Sequence, residues 1–154
     1  MFCLFLISSI VALNVGRYTF PVEQLIANTT SYSVEFEDEM FYFNYLNPVI
    51  PPSQCYIEFD SVALADEGIE FCIPVGLLDT VQHSLIQDTP SSQPKGVRTT
   101  YKDEEGDVSI TFDVVCNRVE KRIVQRSPTY EYLVTWQHPA GCPRLSSRLD
   151  RVRL

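Results

Sequence analysis

The chain has 154 residues, 45% of them hydrophobic and 21% charged, with a formal net charge of −8. That length holds one domain around one core, and that balance is globular rather than disordered. Residues 17–115 carry four basic and seventeen acidic side chains, whereas residues 116–154 carry eight basic and three acidic ones. An acidic front argues against a nucleic-acid partner.

Met1 to Gly16 contains no charged side chain, and Phe2 to Leu13 is interrupted only by Ser8 and Ser9. The run is shorter than the ~20 residues a bilayer crossing needs. It reads as a secretory signal peptide over residues 1–16, cleaved near Ala12 or Gly16, with a buried N-terminal strand as the alternative. Asn28-Thr29-Thr30 is a glycosylation acceptor triplet, making Asn28 a candidate modified residue.

Short aromatic and β-branched runs then predict strands over 18–25, 32–36, 41–45, 55–59, 69–75, 97–101, 108–115, 121–125 and 130–136. Turn formers divide them: Asn47-Pro48, Pro51-Pro52-Ser53, Glu105-Gly106-Asp107 and Ser127-Pro128. Between Ser109 and Val115, Ile110, Phe112 and Val114 share one face, which makes Ile110 and Phe112 core candidates. Residues 79–96 are polar and read as a loop. So many short strands predict an all-β fold, a flattened barrel or sandwich of two antiparallel sheets. Past Pro143, Leu145, Leu149 and Val152 are spaced i, i+4, i+7 among four arginines. That tail, residues 144–154, fits a basic amphipathic helix at a membrane surface or, more commonly, a frayed end.

Removing the signal leaves four cysteines: Cys55, Cys72, Cys116 and Cys142. An even number in a small exported domain predicts two disulfides, with three connectivities open. Zinc is the competing reading, and the absence of a Cys-x-x-Cys pair argues against it. Neither His83 nor His138 has spaced ligand partners, so no metal, cofactor or catalytic cysteine–histidine pair is expected. Glu35, Glu37, Asp38 and Glu39 lack the spacing of a calcium loop and read as a solvated acidic turn. Asp103-Glu104-Glu105 reads the same way.

One stretch carries a family likeness. Tyr130-Glu-Tyr-Leu-Val-Thr-Trp136, followed by Ala140-Gly-Cys-Pro143, resembles the last strand and closing motif of the mannose-6-phosphate receptor homology domain. Ser109 to Asn117 is similar to that family's preceding strand, and Phe41-Tyr-Phe-Asn-Tyr45 to an earlier one. Cys55 and Cys72 sit where the family has a cysteine hairpin. The likeness spans residues 17–143 and implies the pairs Cys55–Cys72 and Cys116–Cys142. In size and layout the chain is most similar to autophagy-related protein 27-like members.

The family's sugar-binding members use a glutamine, an arginine, a glutamate and a tyrosine. Here the glutamine's place after the second hairpin cysteine holds Ile73. The arginine's place, seven or eight residues before Cys116, holds Ser109 and Val108. The glutamate's neighbourhood offers Gln125 and Arg126. Tyr132 alone matches, and a core or edge aromatic with its hydroxyl at the surface is its commoner role. A cysteine usual two residues before that tyrosine is replaced by Tyr130. Arg98, Gln82 and Glu131 are nearby substitutes, although Glu131 should face away from Tyr132.

The resemblance therefore implies a non-enzymatic recognition or sorting module of the secretory, endosomal or vacuolar lumen, or a secreted one. Its partner is expected to be protein cargo or a sorting protein. A mannose or mannose-6-phosphate lectin is the second reading. Many family members are type I membrane proteins, so the chain is expected either to be soluble in the lumen or to stop before an anchor.

Overall fold

A computed structural model describes residues 12–56, 60–68 and 72–146. Its strands are β1 (Leu13–Val15), β2 (Tyr18–Phe20), β3 (Tyr32–Glu35), β4 (Met40–Phe43), β5 (Ser61–Asp66), β6 (Cys72–Leu77), β7 (Gln82–Ile86), β8 (Gly96–Lys102), β9 (Ser109–Cys116), β10 (Lys121–Arg126), β11 (Glu131–His138) and β12 (Arg144–Leu145). They form a four-stranded sheet β3-β4-β5-β6, a five-stranded sheet β10-β11-β9-β8-β7 and a small sheet β1-β2-β12. The two large sheets face each other across the core, which gives the all-β sandwich that the strand pattern predicts.

The five-stranded sheet contains one parallel pair. β11 inserts between β10 and β9, antiparallel to β10 and parallel to β9, with Tyr132 opposite Ile110 and His138 opposite Cys116. Parallel pairing puts the C-terminal ends of β9 and β11 side by side, so Cys142 reaches Cys116. An antiparallel pair would leave these cysteines a strand length apart, about 26 Å for eight residues. The second disulfide joins Cys55 to Cys72, so both implied pairs are formed. The closing segment lies against the β9 backbone: a Cβ on Gly141 would sit 2.6 Å from the Val115 carbonyl carbon and 2.7 Å from the Val114 oxygen. Glycine at that position is what lets Cys142 approach.

Alternation along β9 and β11 fills the core from one side. Ile110, Phe112, Val114, Tyr132, Val134 and Trp136 are buried, as the alternating pattern of β9 predicts. Phe41 and Phe43 of β4 meet them from the other side. Phe41 stacks on Tyr132 with ring centroids 4.1 Å apart and planes 3° from parallel. Such a pair adds about 1 kcal/mol beyond its buried area. On the seam between sheets, the Arg122 guanidinium of β10 covers Tyr32, Trp136 and Phe43 at 4.4, 5.2 and 5.5 Å.

Four local expectations need correction. The strand expected over 18–25 stops at Phe20 and gives way to a 3-10 turn, Val22–Leu25, because Pro21 interrupts the ladder. The strand expected at 55–59 is not formed at Cys55 and Tyr56, and the remainder lies outside the described residues. Instead β5 runs from Ser61 to Asp66, a central strand buried on both faces and therefore without alternation. The polar segment 79–96 contains the edge strand β7, whose polar outer side chains Gln82 and Ser84 hid a strand that turns His83 and Leu85 inward. At the C-terminus, Leu145 lies in β12 against Tyr18, so it begins no helix. Residues 147–154 of the tail and 1–11 of the signal lie outside the described residues.

Asn44, just after β4, shows why this position is an asparagine. Its side-chain oxygen accepts from the Ala27 and Tyr45 amides, and its Nδ2 donates to the Ala27 and Pro48 carbonyls. The residue is 1% exposed, so four backbone groups depend on it. Replacing it by alanine is expected to cost about 3 kcal/mol, because each stranded buried group costs about 1–3 kcal/mol before water compensates. Urea unfolding should show a lower midpoint with an unchanged slope.

Candidate functional site

Tyr132 is the second residue of β11, at the end of the sandwich where four hairpin connections meet. Alternation turns its side chain into the core, while Glu131 faces out as expected. Tyr132 is 2% exposed, and its hydroxyl is not at the surface. It donates to Glu39 Oε1 at 2.7 Å. Glu39 is itself buried, which corrects the reading of 35–39 as a wholly solvated turn. The physical reason is a counter-charge: Arg126, opposite Tyr132 on β10, places Nη1 3.0 Å from Glu39 Oε2. That contact is ionic without hydrogen-bond alignment, since neither atom has another partner. Arg126 Nη2 donates to Asp38 Oδ1 at 2.8 Å and holds the Asp38 carboxyl below its usual range. Burial, then the hydrogen bond to Glu39, push the Tyr132 phenol above its usual range. Its proton therefore stays in place at any physiological pH.

Beside this network lies a pocket of about 240 Å³ lined by Ala65, Glu67, Ile73, Val75, Val108, Tyr130 and Tyr132. Three of these are positions to which the resemblance assigns sugar ligands: Ile73 for the glutamine, Val108 as one of the two places for the arginine, and Tyr132; the other arginine place, Ser109, lines a separate groove on the outer face. Residues from β6, the β8–β9 connection and β11 thus converge in one place. The chemistry differs, because Ile73 and Val108 bring no donor or acceptor. Tyr132 offers its ring and keeps its hydroxyl on Glu39. Tyr130, standing where the family has a cysteine, has φ of 58° and leaves 48% of its surface exposed at the pocket edge. A left-handed conformation in a bulky residue stores strain that the surrounding turn must hold.

Two of the nearby polar substitutes, Arg98 and Glu131, line a second cavity that Tyr132 also borders. Arg98, Gln125 and Glu131 line this larger groove, about 560 Å³, on the outer face of the five-stranded sheet, and Arg126 and Tyr132 line it as well. Arg98 is held there by two hydrogen bonds to Asp113, both 2.6 Å. Gln82 is exposed on edge strand β7 and lines neither cavity. His138 caps the 3-10 turn Pro139–Gly141, accepting from the Ala140 amide through Nδ1 at 2.9 Å. Cys55, Cys72 and Asp66 lie close together, but the disulfide removes both thiolates as metal ligands. Asn28 is exposed, in an irregular turn after the first 3-10 helix.

Sequence reasoning alone missed Glu39. Four acidic residues crowd positions 35–39, and only the position of Glu39 immediately before β4, within reach of Tyr132 and Arg126, separates it from its neighbours.

No protein-family model matches the chain, and no curated protein matches it. Among solved structures it is similar to chicken IGF2R domain 11, with 13% sequence identity and a TM-score of 0.54, over 81% of this chain and 84% of that one. The fold is that of a mannose-6-phosphate receptor homology domain. At this identity the likeness is one of fold. Among the described residues no helix is long and apolar enough to cross a membrane. Two disulfides fit a lumenal or secreted location.

Proposed function

We propose that this chain is a non-enzymatic recognition module of the secretory and endosomal lumen that binds a protein partner and does not read mannose. The observation that carries this reading is the pocket lined by Ile73, Val108 and Tyr132. A hexose presents hydroxyls in fixed directions, and each one buried without a partner costs about 1–3 kcal/mol. An isoleucine and a valine in place of an amide and a guanidinium leave several unmatched. The receptor-domain fold supports recognition over catalysis. Within this reading, sorting of cargo during vesicle trafficking, as in autophagy-related protein 27-like members, is the finer role. The N-terminal apolar run serves as the signal peptide. Cleavage at Ala12 keeps β1, whereas cleavage at Gly16 removes it.

Oxidised protein passed over columns of immobilised mannose and mannose 6-phosphate is expected to elute in the void. Retention that is lost on Tyr132→Phe would overturn the reading. One observation favours the lectin alternative, namely the outer groove that gathers Arg98, Gln125 and Glu131. Retention abolished by Arg98→Ala and indifferent to Ile73→Ser would mark that alternative.

A further inference from the structure

The pocket beside Tyr132 is apolar inside and acidic around, and both properties bear on its occupant. Inside, Ala65, Val75 and the Tyr132 ring form the floor, while Ile73 is 38% exposed and Tyr130 48% exposed. Isolated apolar side chains on a surface need no explanation, but here they share one concavity. Around it stand the hairpin connections. Glu67 of the β5–β6 connection lines the pocket itself. The β8–β9 connection reads Asp103-Glu104-Glu105-Gly106-Asp107 and ends in the lining residue Val108. The β3–β4 connection contributes Glu37 and Asp38, tied to the same end of the sandwich through Arg126.

No lysine or arginine occurs in these three connections or in the β10–β11 connection, Ser127-Pro-Thr-Tyr130. Arg126, at the end of β10, is already committed to Asp38 and Glu39. Glu37, Glu104, Glu105 and Asp107 are exposed, and among the described residues none of them has a cationic partner. Unpaired carboxylates converging on one end raise the local concentration of cations and speed their arrival.

We infer that this pocket seats one apolar or aromatic side chain of a cationic protein segment, whose flanking lysines or arginines meet Glu67 and the carboxylates of the β3–β4 and β8–β9 connections. The inference rests on the protein-binding reading proposed above and adds the chemistry of the partner. An apolar anchor in a pocket with charge at the rim is the ordinary division of labour at an interface: the anchor supplies affinity, and the rim supplies approach and orientation. A neutral or acidic segment with the same anchor would meet repulsion, which gives selectivity.

The test pans a phage-displayed random peptide library on the oxidised, secreted chain. Selected sequences are expected to carry one leucine, isoleucine or aromatic residue flanked by lysines or arginines. A synthetic copy of the commonest should bind Ile73→Ser at least about tenfold more weakly, from lost apolar contact. The triple variant Glu104→Lys, Glu105→Lys, Asp107→Lys should bind about tenfold more weakly at low salt and lose its salt dependence. Thr111→Val, on the outer face, should change nothing. Near-UV circular dichroism verifies each fold, and Ile73 is exposed enough to change without disturbing the core. Selection of neutral or acidic peptides, no selection at all, or binding unmoved by Ile73→Ser overturns this inference. Mannose retention through Tyr132 would instead overturn the reading on which it rests.

Discussion

Removing both Cys116 and Cys142 by alanine substitution is expected to lower the unfolding free energy by about 3.5 kcal/mol, from loop-closure entropy across their separation of 26 residues. The same reasoning gives about 3 kcal/mol for Cys55 and Cys72, separated by 17 residues. Chain entropy alone therefore predicts nearly equal shifts in the denaturation midpoint. What distinguishes the two bridges is their place in the fold. Cys116–Cys142 holds the closing segment on the β9 backbone where Gly141 makes the close approach. It also clamps the one parallel pair, which is reached only by passing through β10. Amide exchange along β9 and β11 should accelerate when it is removed. Cys55–Cys72 instead pins the segment after Asn47 over Val49 and Leu64. Its loss should accelerate exchange there and leave β11 protected.

The second large effect belongs to Glu39. Glu39→Ala strands the Tyr132 hydroxyl and removes the counter-charge that Arg126 meets at 3.0 Å. Breaking a buried ionic pair typically costs 3–5 kcal/mol. Arg126 is 23% exposed and keeps Asp38, so the expected loss is about 3 kcal/mol. Tyr132→Phe removes one hydrogen bond but leaves the stack on Phe41, for a loss of about 1 kcal/mol. The double variant should lose less than the sum, since both changes break the same bond. A thermodynamic cycle by urea denaturation measures this directly. Strict additivity would mean that the hydroxyl–carboxylate bond contributes nothing.

Much of the sandwich was legible because its main strands are half-buried. β9 and β11 alternate apolar and polar residues, and their inward sets, Ile110 to Val114 and Tyr132 to Trp136, are the sets found in the core. Two strands were illegible for opposite reasons. β5 is buried on both faces, so Ser61-Val-Ala-Leu-Ala-Asp66 shows no period of two. β7 is an edge strand whose outward residues are polar, and it sits in a segment rich in turn formers. The parallel pairing of β9 with β11 follows from the Cys116–Cys142 bond once the strands are known, but the insertion of β11 inside β10 is a topological fact that no local pattern encodes.

The pocket was legible only through likeness to a family. Ile73, Val108 and Tyr132 are far apart in the chain, and nothing in their spacing brings them together. The fold brings them to one cavity, where the side chains of Ile73 and Val108 offer no hydrogen bonds. Glu39 and Arg126 make the same point from the other direction. Glu39 read as part of a solvated turn, and it is held in place by Arg126.

The most direct measurement is a nitrogen–proton correlation spectrum of the oxidised domain, recorded during titration with methyl α-mannoside and with mannose 6-phosphate. The account predicts that the amides of Ile73, Val108 and Tyr130 to Tyr132 stay where they are up to millimolar sugar. Saturable movement of those resonances, abolished by Tyr132→Phe, would show that an isoleucine- and valine-lined pocket reads a hexose after all.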